Sequence, residues 1–406
     1  MSIGPVLALS VSAAVVMLGF GIVMPFLPVY AQLLGAGSAL DIGILSSAFL
    51  ITRTFLATPA GSFSDRLGRR RVIMAGLALY ALTSVLFASA SSWVELIAYR
   101  AMQGIASAMV WPAATALVAD ITAPDKRGTA MGIFNSVSMS GWMIGPALGG
   151  AIQWYSRNAA GMDLLESFKV PFYASALLSV VSMFLVLSFV KVKVSAATKK
   201  RLFEVPLKEV DPKFRRTVYV LLLLLLSYGF ATSFVEPMLV YFVQHEYGLS
   251  EDLVVSNMAV IFTISGVVML CTQLIGGRIA DNFSKKKTIL YTSVFAQALT
   301  MLMPFSRGVN EIGYVMVARS AFYGMGSPAY TAFQQNLLPT KVRGALTGLF
   351  DTAFGVGAFA GPLVGFLLYD MVSHSSPFLA SGMLGVFTLV AIVIFTYEPK
   401  EEEVPL

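Results

Sequence analysis

Five charged side chains stand inside long apolar runs of this 406-residue chain: Arg53, Arg100, Glu236, Arg319 and Asp351. Facing hydrocarbon at a helix centre, each would cost about 2.5–3.5 kcal/mol, so all five are expected to face a protein interior. Glu236 is the group that can carry a proton. A carboxylate held by an arginine stays charged, and one stripped of that partner in an apolar setting favours the neutral acid. Arg100 and Arg319 are the partners expected to tune it, or to hold an anionic group on a bound molecule. Counted from the ends of their runs the three share one depth, with Glu236 about 12 Å from the outer end. Arg53 and Asp351 lie at a matching depth, about 10–14 Å from the opposite side, so they would pair if their helices meet. The plainer reading of each charge is a static buried ion pair.

Other residue types exclude several chemistries. The single cysteine, Cys271, lies in an apolar run, so neither an intrachain disulfide nor a cysteine metal site is expected. The two histidines, His245 and His374, sit at the ends of apolar runs with no matching cluster. No metal, cofactor or nucleophile–base pair is expected, and a membrane-embedded enzyme is the least favoured class. A channel is disfavoured because no ring of equivalent charges repeats along the chain.

The elements that must position these groups are membrane helices. The chain is 57% hydrophobic and 12% charged, against about 25% charged in soluble domains. Its mean hydropathy is +0.76. A span needs about 20 apolar residues. Twelve runs qualify: 6–33, 41–62, 72–91, 94–120, 128–153, 169–190, 216–244, 253–277, 288–306, 312–338, 344–369 and 376–397. The first is too long for a signal-peptide core and is expected to be an uncleaved span.

The net charge of +6 invites a nucleic-acid reading, which the distribution of the charge removes. With the N-terminus inside, 22 of the 28 Lys and Arg residues fall in cytoplasmic loops, the linker and the tail. That bias puts both termini in the cytoplasm. The expected organisation is a six-helix half over 1–190, a cytoplasmic linker over 191–216, a second half over 217–398 and a tail over 399–406. The linker's basic residues suit the anionic inner leaflet.

The halves repeat. Asp65/Asp281, Pro112/Pro328, Gly128/Gly344, Gly132/Gly348 and Pro146/Pro362 all stand 216 residues apart. Parallel six-span repeats place a substrate site between them near the membrane midplane.

Three motifs sharpen this. The loop Gly61-Ser62-Phe63-Ser64-Asp65-Arg66-Leu67-Gly68-Arg69-Arg70-Arg71 follows the second run, and Gly277–Lys287 is a degraded copy. The fifth run carries Gly132, Gly141, Gly145-Pro146 and Gly149-Gly150. The fourth reads Leu96-x-x-x-Arg100-x-x-Gln103-Gly104-x-x-x-Ala108, with Arg100, Gln103, Ser107 and Trp111 on one helical face. Together they resemble the major facilitator superfamily, and within it the twelve-helix drug:proton antiporters. The resemblance covers nearly the whole chain.

It implies an all-α membrane protein of twelve transmembrane helices in two six-helix pseudo-symmetric halves. Helices 1, 4, 7 and 10 would line a cavity, and proton coupling would involve Arg100. Gln103, Trp111, Tyr228, Thr232, Tyr323, Tyr330 and Gln334 would face that cavity. It also implies a cytoplasmic latch in which Arg69 bridges to Asp120, Asp65 faces the start of span 11, and the outward-open state is held. The glycines are read as the antiporter motif, or as packing between helices. Relatives often carry an acid in helix 1; here Met24–Pro28 has none, which leaves Glu236 as the proton carrier.

The expected function is secondary active, proton-coupled efflux of lipophilic small molecules by alternating access, in the plasma membrane and as a monomer. The partners are substrate, protons and the lipid bilayer, with no nucleic acid. Export or flipping of an anionic amphiphile is the alternative, and proton-coupled uptake comes third.

Overall fold

The computed structural model describes residues 3–122, 126–190, 212–336 and 343–396. The linker residues 191–211 and the tail from 397 lie outside the described residues. The described chain is largely helical, and the described parts of the twelve apolar runs lie on thirteen helices. In order these are α1 (Ile3–Leu33), α2 (Ala39–Leu67), α3 (Arg69–Ala88), α4 (Trp93–Ile121), α5 (Arg127–Asn158), α6 (Leu164–Phe189), α7 (Pro212–Ser233), α8 (Val235–Glu246), α9 (Glu251–Asn282), α10 (Lys285–Leu302), α11 (Val309–Asn336), α12 (Arg343–Met371) and α13 (Ser376–Phe395). Among the described residues, nine helical segments are long and apolar enough to cross a membrane.

The helix ends follow local chemistry. Ser38 and Asp41 form a capping box at the start of α2: the Asp41 N–H donates to Ser38 Oγ (3.2 Å) and the Ser38 N–H to Asp41 Oδ2 (3.0 Å). Only Gly68 separates α2 from α3, at φ 95°. A side chain would strain that conformation, so the one-residue turn requires glycine. In the repeat the same position is Ser284. There the chain turns without a positive φ, and the hydroxyl accepts from the Lys287 N–H (3.3 Å) to cap α10.

The seventh run, expected as one span, is two helices. The break falls at Phe234, between α7 and α8. Pro237 is the cause: it has no N–H to give the Ser233 carbonyl, and its ring crowds that oxygen. The ladder resumes with the Met238 N–H donating to the Phe234 carbonyl (2.9 Å). Glu236 consequently sits in the first turn of α8, where unpaired N–H groups favour an anion.

The chain forms two compact units, Met1–Leu202 with Val243–Thr263, and Phe203–Phe242 with Ile264–Leu406. In the first, α1 packs along α5 and α6, α4 against α2 and α3, and α3 against α6. Its core joins Leu9, Leu77, Val110, Leu117 and Phe134. In the second, α7 packs along α12 and α13, and α10 against α11 and α13. Its core joins Leu221, Leu225, Phe333, Leu346 and Phe350. The pairings α1–α5 and α7–α12, α3–α4 and α10–α11, and α3–α6 and α10–α13 are the same contact made twice, as the 216-residue repeat requires.

Candidate functional site

In the first unit, the charged loop fastens three helices. Arg69 Nη2 lies 3.3 Å from Asp65 Oδ1 at the end of α2. Its Nη1 pairs with Asp120 and donates to the Ala116 carbonyl, both near the end of α4. The carboxylates are about half exposed, 48% for Asp65 and 54% for Asp120, so each pair contributes only about 0–1 kcal/mol. The contacts position more than they stabilise. Next to it, Arg70 Nη2 donates to the Leu187 carbonyl at the end of α6 (2.6 Å). Lys286, the repeat equivalent of Arg70, donates to the Thr396 carbonyl just past α13 (2.6 Å). Each half thus uses one cation to cap the carbonyl end of its last helix.

Arg100 on α4 is 5% exposed. Its guanidinium carbon lies 4.9 Å from the ring centre of Phe49 on α2 and 5.4 Å from that of Phe20 on α1. Nη1 donates to Gln103 Oε1 (3.2 Å), and Nε has no partner among the described residues. No carboxylate of the unit pairs with it. Two aromatic faces take the place of an acid, at about 0.5–2 kcal/mol each. Trp142 on α5 stacks on Phe20 at 5.0 Å, which continues the aromatic set. Trp111 packs against Phe134 (5.7 Å) at the edge of the core. Arg53 lies 6.0 Å from the Phe49 ring; Asp351 belongs to the second unit.

The α5 glycines divide into two kinds. A Cβ on Gly141 would strike the Ala14 carbonyl oxygen of α1. One on Gly145 would come within 2.8 Å of Leu18 O and of the Gly21 backbone, and one on Gly149 within 2.8 Å of the Phe26 ring. Gly150 faces Ala259 at 2.7 Å. A Cβ on Gly132 would meet nothing within 4 Å among the described residues outside its own helix backbone. In the repeat, Gly357 and Gly361 meet the Leu226 and Phe230 carbonyls of α7 in the same manner, and Gly365 the Phe234 ring at 2.6 Å. Pro146, between the paired glycines, touches the space a Cβ on Gly21 would take, at 3.2 Å.

In the second unit, the aromatic stripes of α7 and α11 converge. The Tyr228 ring has Phe354 at 6.1 Å, Tyr330 at 6.3 Å and Tyr323 at 6.4 Å. All four are half-buried. Gln334 Nε2 donates to Tyr330 Oη (3.2 Å). Thr232 turns back on its own helix and donates to the Tyr228 carbonyl (2.8 Å). Arg319 is 5% exposed; Nε donates to Thr300 Oγ1 (3.0 Å), and the guanidinium carbon lies 4.7 Å from the Tyr323 ring centre. Glu236 makes no ion pair or hydrogen bond among the described residues, and Arg319 acts on it through space rather than by contact.

Sequence reasoning missed Phe20, Phe49, Gln297 and Thr300. Both phenylalanines look like ordinary apolar residues in apolar runs, and no pattern distinguishes them. Gln297 did carry a signal: it is an amide inside a membrane run, and it deserved the same treatment as the five charges. It is 2% exposed, its Nε2 donates to Tyr323 Oη (3.1 Å), and its Oε1 has no partner, at a cost of about 1–3 kcal/mol. No group of three or more potential metal-ligating side chains occurs among the described residues.

The repeat, the doubled helix pairings and the closely packed glycines all point to one architecture, and the family model described as Major Facilitator Superfamily matches residues 9–359, with a second match over 221–406. The chain belongs to the major facilitator superfamily. It is therefore a multi-pass membrane transporter of small molecules and not an enzyme. Among superfamily members, Multidrug resistance protein 2 of Bacillus subtilis is 26% identical over 383 residues, covering 92% of this chain and 91% of that protein. Quinolone resistance protein NorA of Staphylococcus aureus is 25% identical over 388 residues, covering 95% and 94%. The fold matches the inward-open xylose transporter XylE from E. coli at a TM-score of 0.76 with 12% identity, covering 98% of this chain and 97% of that one. It matches the human organic anion transporter MFSD10 at 0.69 with 19% identity, covering 95% and 98%.

Proposed function

We propose that this transporter exports lipophilic, aromatic-bearing small molecules in exchange for protons, working as a monomer in the plasma membrane with both termini in the cytoplasm. The observation that carries the reading is the set Tyr228, Tyr323, Tyr330 and Phe354, half-buried together beside Arg319. Such rings offer flat faces to a flat substrate without demanding a particular hydrogen-bonding pattern. The two relatives named for drug resistance support efflux as the direction. Glu236, without a partner beside an arginine-bearing helix, is the proton carrier in this reading, and Arg100 and Arg319 set its charge state. Arg69 with Asp65 and Asp120 would serve as the cytoplasmic latch, and Arg53 with Asp351 as a second tie on that side.

The test is purified protein in liposomes with a pH-sensitive dye inside and an imposed pH gradient. Aromatic cations such as ethidium should discharge the gradient at a saturable rate. No response to any of a panel of lipophilic compounds would end the reading. A second reading, export of an anionic amphiphile, is favoured by one observation: within their units neither Arg100 nor Arg319 is paired with a carboxylate. Competition by lipophilic anions but not cations would select it.

A further inference from the structure

Gln297 is held in a recess made for it. It stands on α10, facing α11 on one side and α13 on the other. A Cβ on Gly385 would strike its Cδ and fall 2.5 Å from its Nε2 and 2.7 Å from its Cγ, and one on Gly382 3.1 Å from its main-chain carbonyl oxygen. The amide therefore has little room to turn. Its Nε2 donates to Tyr323 Oη at 3.1 Å. One helical turn along, Thr300 accepts from Arg319 Nε at 3.0 Å. Two residues of α10, three apart, thus hold two residues of α11, four apart, on antiparallel helices. The repeat equivalents of Gln297 and Tyr323 are Ala81 and Ser107. The arrangement exists in the second unit alone.

We infer that Gln297 is a positioning residue that fixes the hydrogen-bond polarity of Tyr323 and so selects substrates carrying an acceptor. A phenol oxygen that accepts from an amide N–H has its own proton left to donate. The Gln297 amide occupies the oxygen from the α10 side, so the Tyr323 O–H is directed away from it. Arg319 stacked on the ring draws electron density from the hydroxyl and makes it a better donor. The aromatic set then holds one oriented donor among otherwise indiscriminate faces. Aromatic compounds bearing a carbonyl or carboxylate oxygen would be held there; those lacking an acceptor would bind by stacking only. The unpartnered Oε1 points to the same conclusion. A methionine would fill the recess without burying an unpaired oxygen, so packing alone does not call for an amide.

This inference rests on the proposed efflux of aromatic compounds. The experiment compares two probes in liposomes: norfloxacin, which carries a keto acid, and ethidium, which carries neither carbonyl nor carboxylate. Gln297→Met and Tyr323→Phe should each raise the KM for norfloxacin roughly three- to tenfold, as expected for one lost hydrogen bond, and Gln297→Met should leave ethidium within about twofold. The double variant should match the single ones, because both remove one interaction. Gln297→Met keeps the volume, so a purely structural role would leave it like wild type for both probes. Equal shifts for the two probes, or additive effects in the double variant, would overturn the inference while the efflux reading stands. Failure of the wild-type protein to move either probe would overturn both.

Discussion

At the scale of the residue, the chain stores its buried charge in two ways. Arg100 and Arg319 are neutralised by no acid of their own unit. They rest on Phe49, Phe20 and Tyr323, with hydrogen bonds from Arg100 to Gln103 and from Arg319 to Thr300 and the Met316 sulfur. Aromatic faces hold a cation loosely enough to leave it able to meet another charge. Glu236 lies in the first turn of α8, with no ion pair or hydrogen bond among the described residues. Glutamine has the same shape and carries no charge. Glu236→Gln should therefore fold and bind substrate, lose gradient-driven efflux, and retain substrate exchange. Undiminished gradient-driven efflux would remove Glu236 from the proton path.

At the scale of the element, the α1–α5 contact depends on missing side chains. A valine at Gly141 would drive its Cβ into the Ala14 carbonyl, a backbone atom that cannot rotate away. Gly141→Val should cost about 3 kcal/mol or more, seen as a lower melting temperature in detergent. Gly132→Ala should be neutral or slightly stabilising, because the space is open and alanine favours helix by about 1 kcal/mol. If both changes were equally harmful, the motif would act as a unit rather than through contacts. Much of this was legible in advance. Apolar runs of about 20 residues located the helices apart from the division of the seventh run, and the offset from Asp65 to Asp281 marked the repeat behind the doubled packing. The break at Phe234 was not foreseen: its cause, Pro237, was visible, but prolines are tolerated in membrane helices, and Pro25 and Pro112 lie inside unbroken α1 and α4. The Arg100 cage was also hidden, since Phe20 and Phe49 come from different helices and only tertiary contact gives them a role.

At the scale of the whole molecule, the proposed cycle would have the ties made by Arg69 and Arg53 break and re-form. Asp65→Asn removes the acid that Arg69 shares with Asp120 and should shift the resting population toward inward-open. Cysteine labelling from each side of the membrane would read this, and unchanged labelling would count against the latch. Arg53→Ala and Asp351→Ala should be strongly non-additive for transport if they form a tie, and additive if they do not. At the opposite helix ends of the first unit, Asp252 on α9 accepts from Gln153 (2.7 Å) and lies 3.5 Å from Arg157 Nε, both on α5. Gln153 also donates to Ser167 on α6 (3.2 Å), so three helix ends are joined through one amide.

In the proposed alternating-access cycle, the interruption at Phe234 would let α8 act as a lever. Its 12 residues form a rigid arm about 18 Å long, with the fulcrum at one end. A swing of about 10° there would sweep the far tip through about 3 Å but move Glu236, two positions from the pivot, by about half an ångström. The acid would keep its surroundings while the end of the arm opens or shuts. A proton site near a fulcrum can be read by a large motion without being dragged through it.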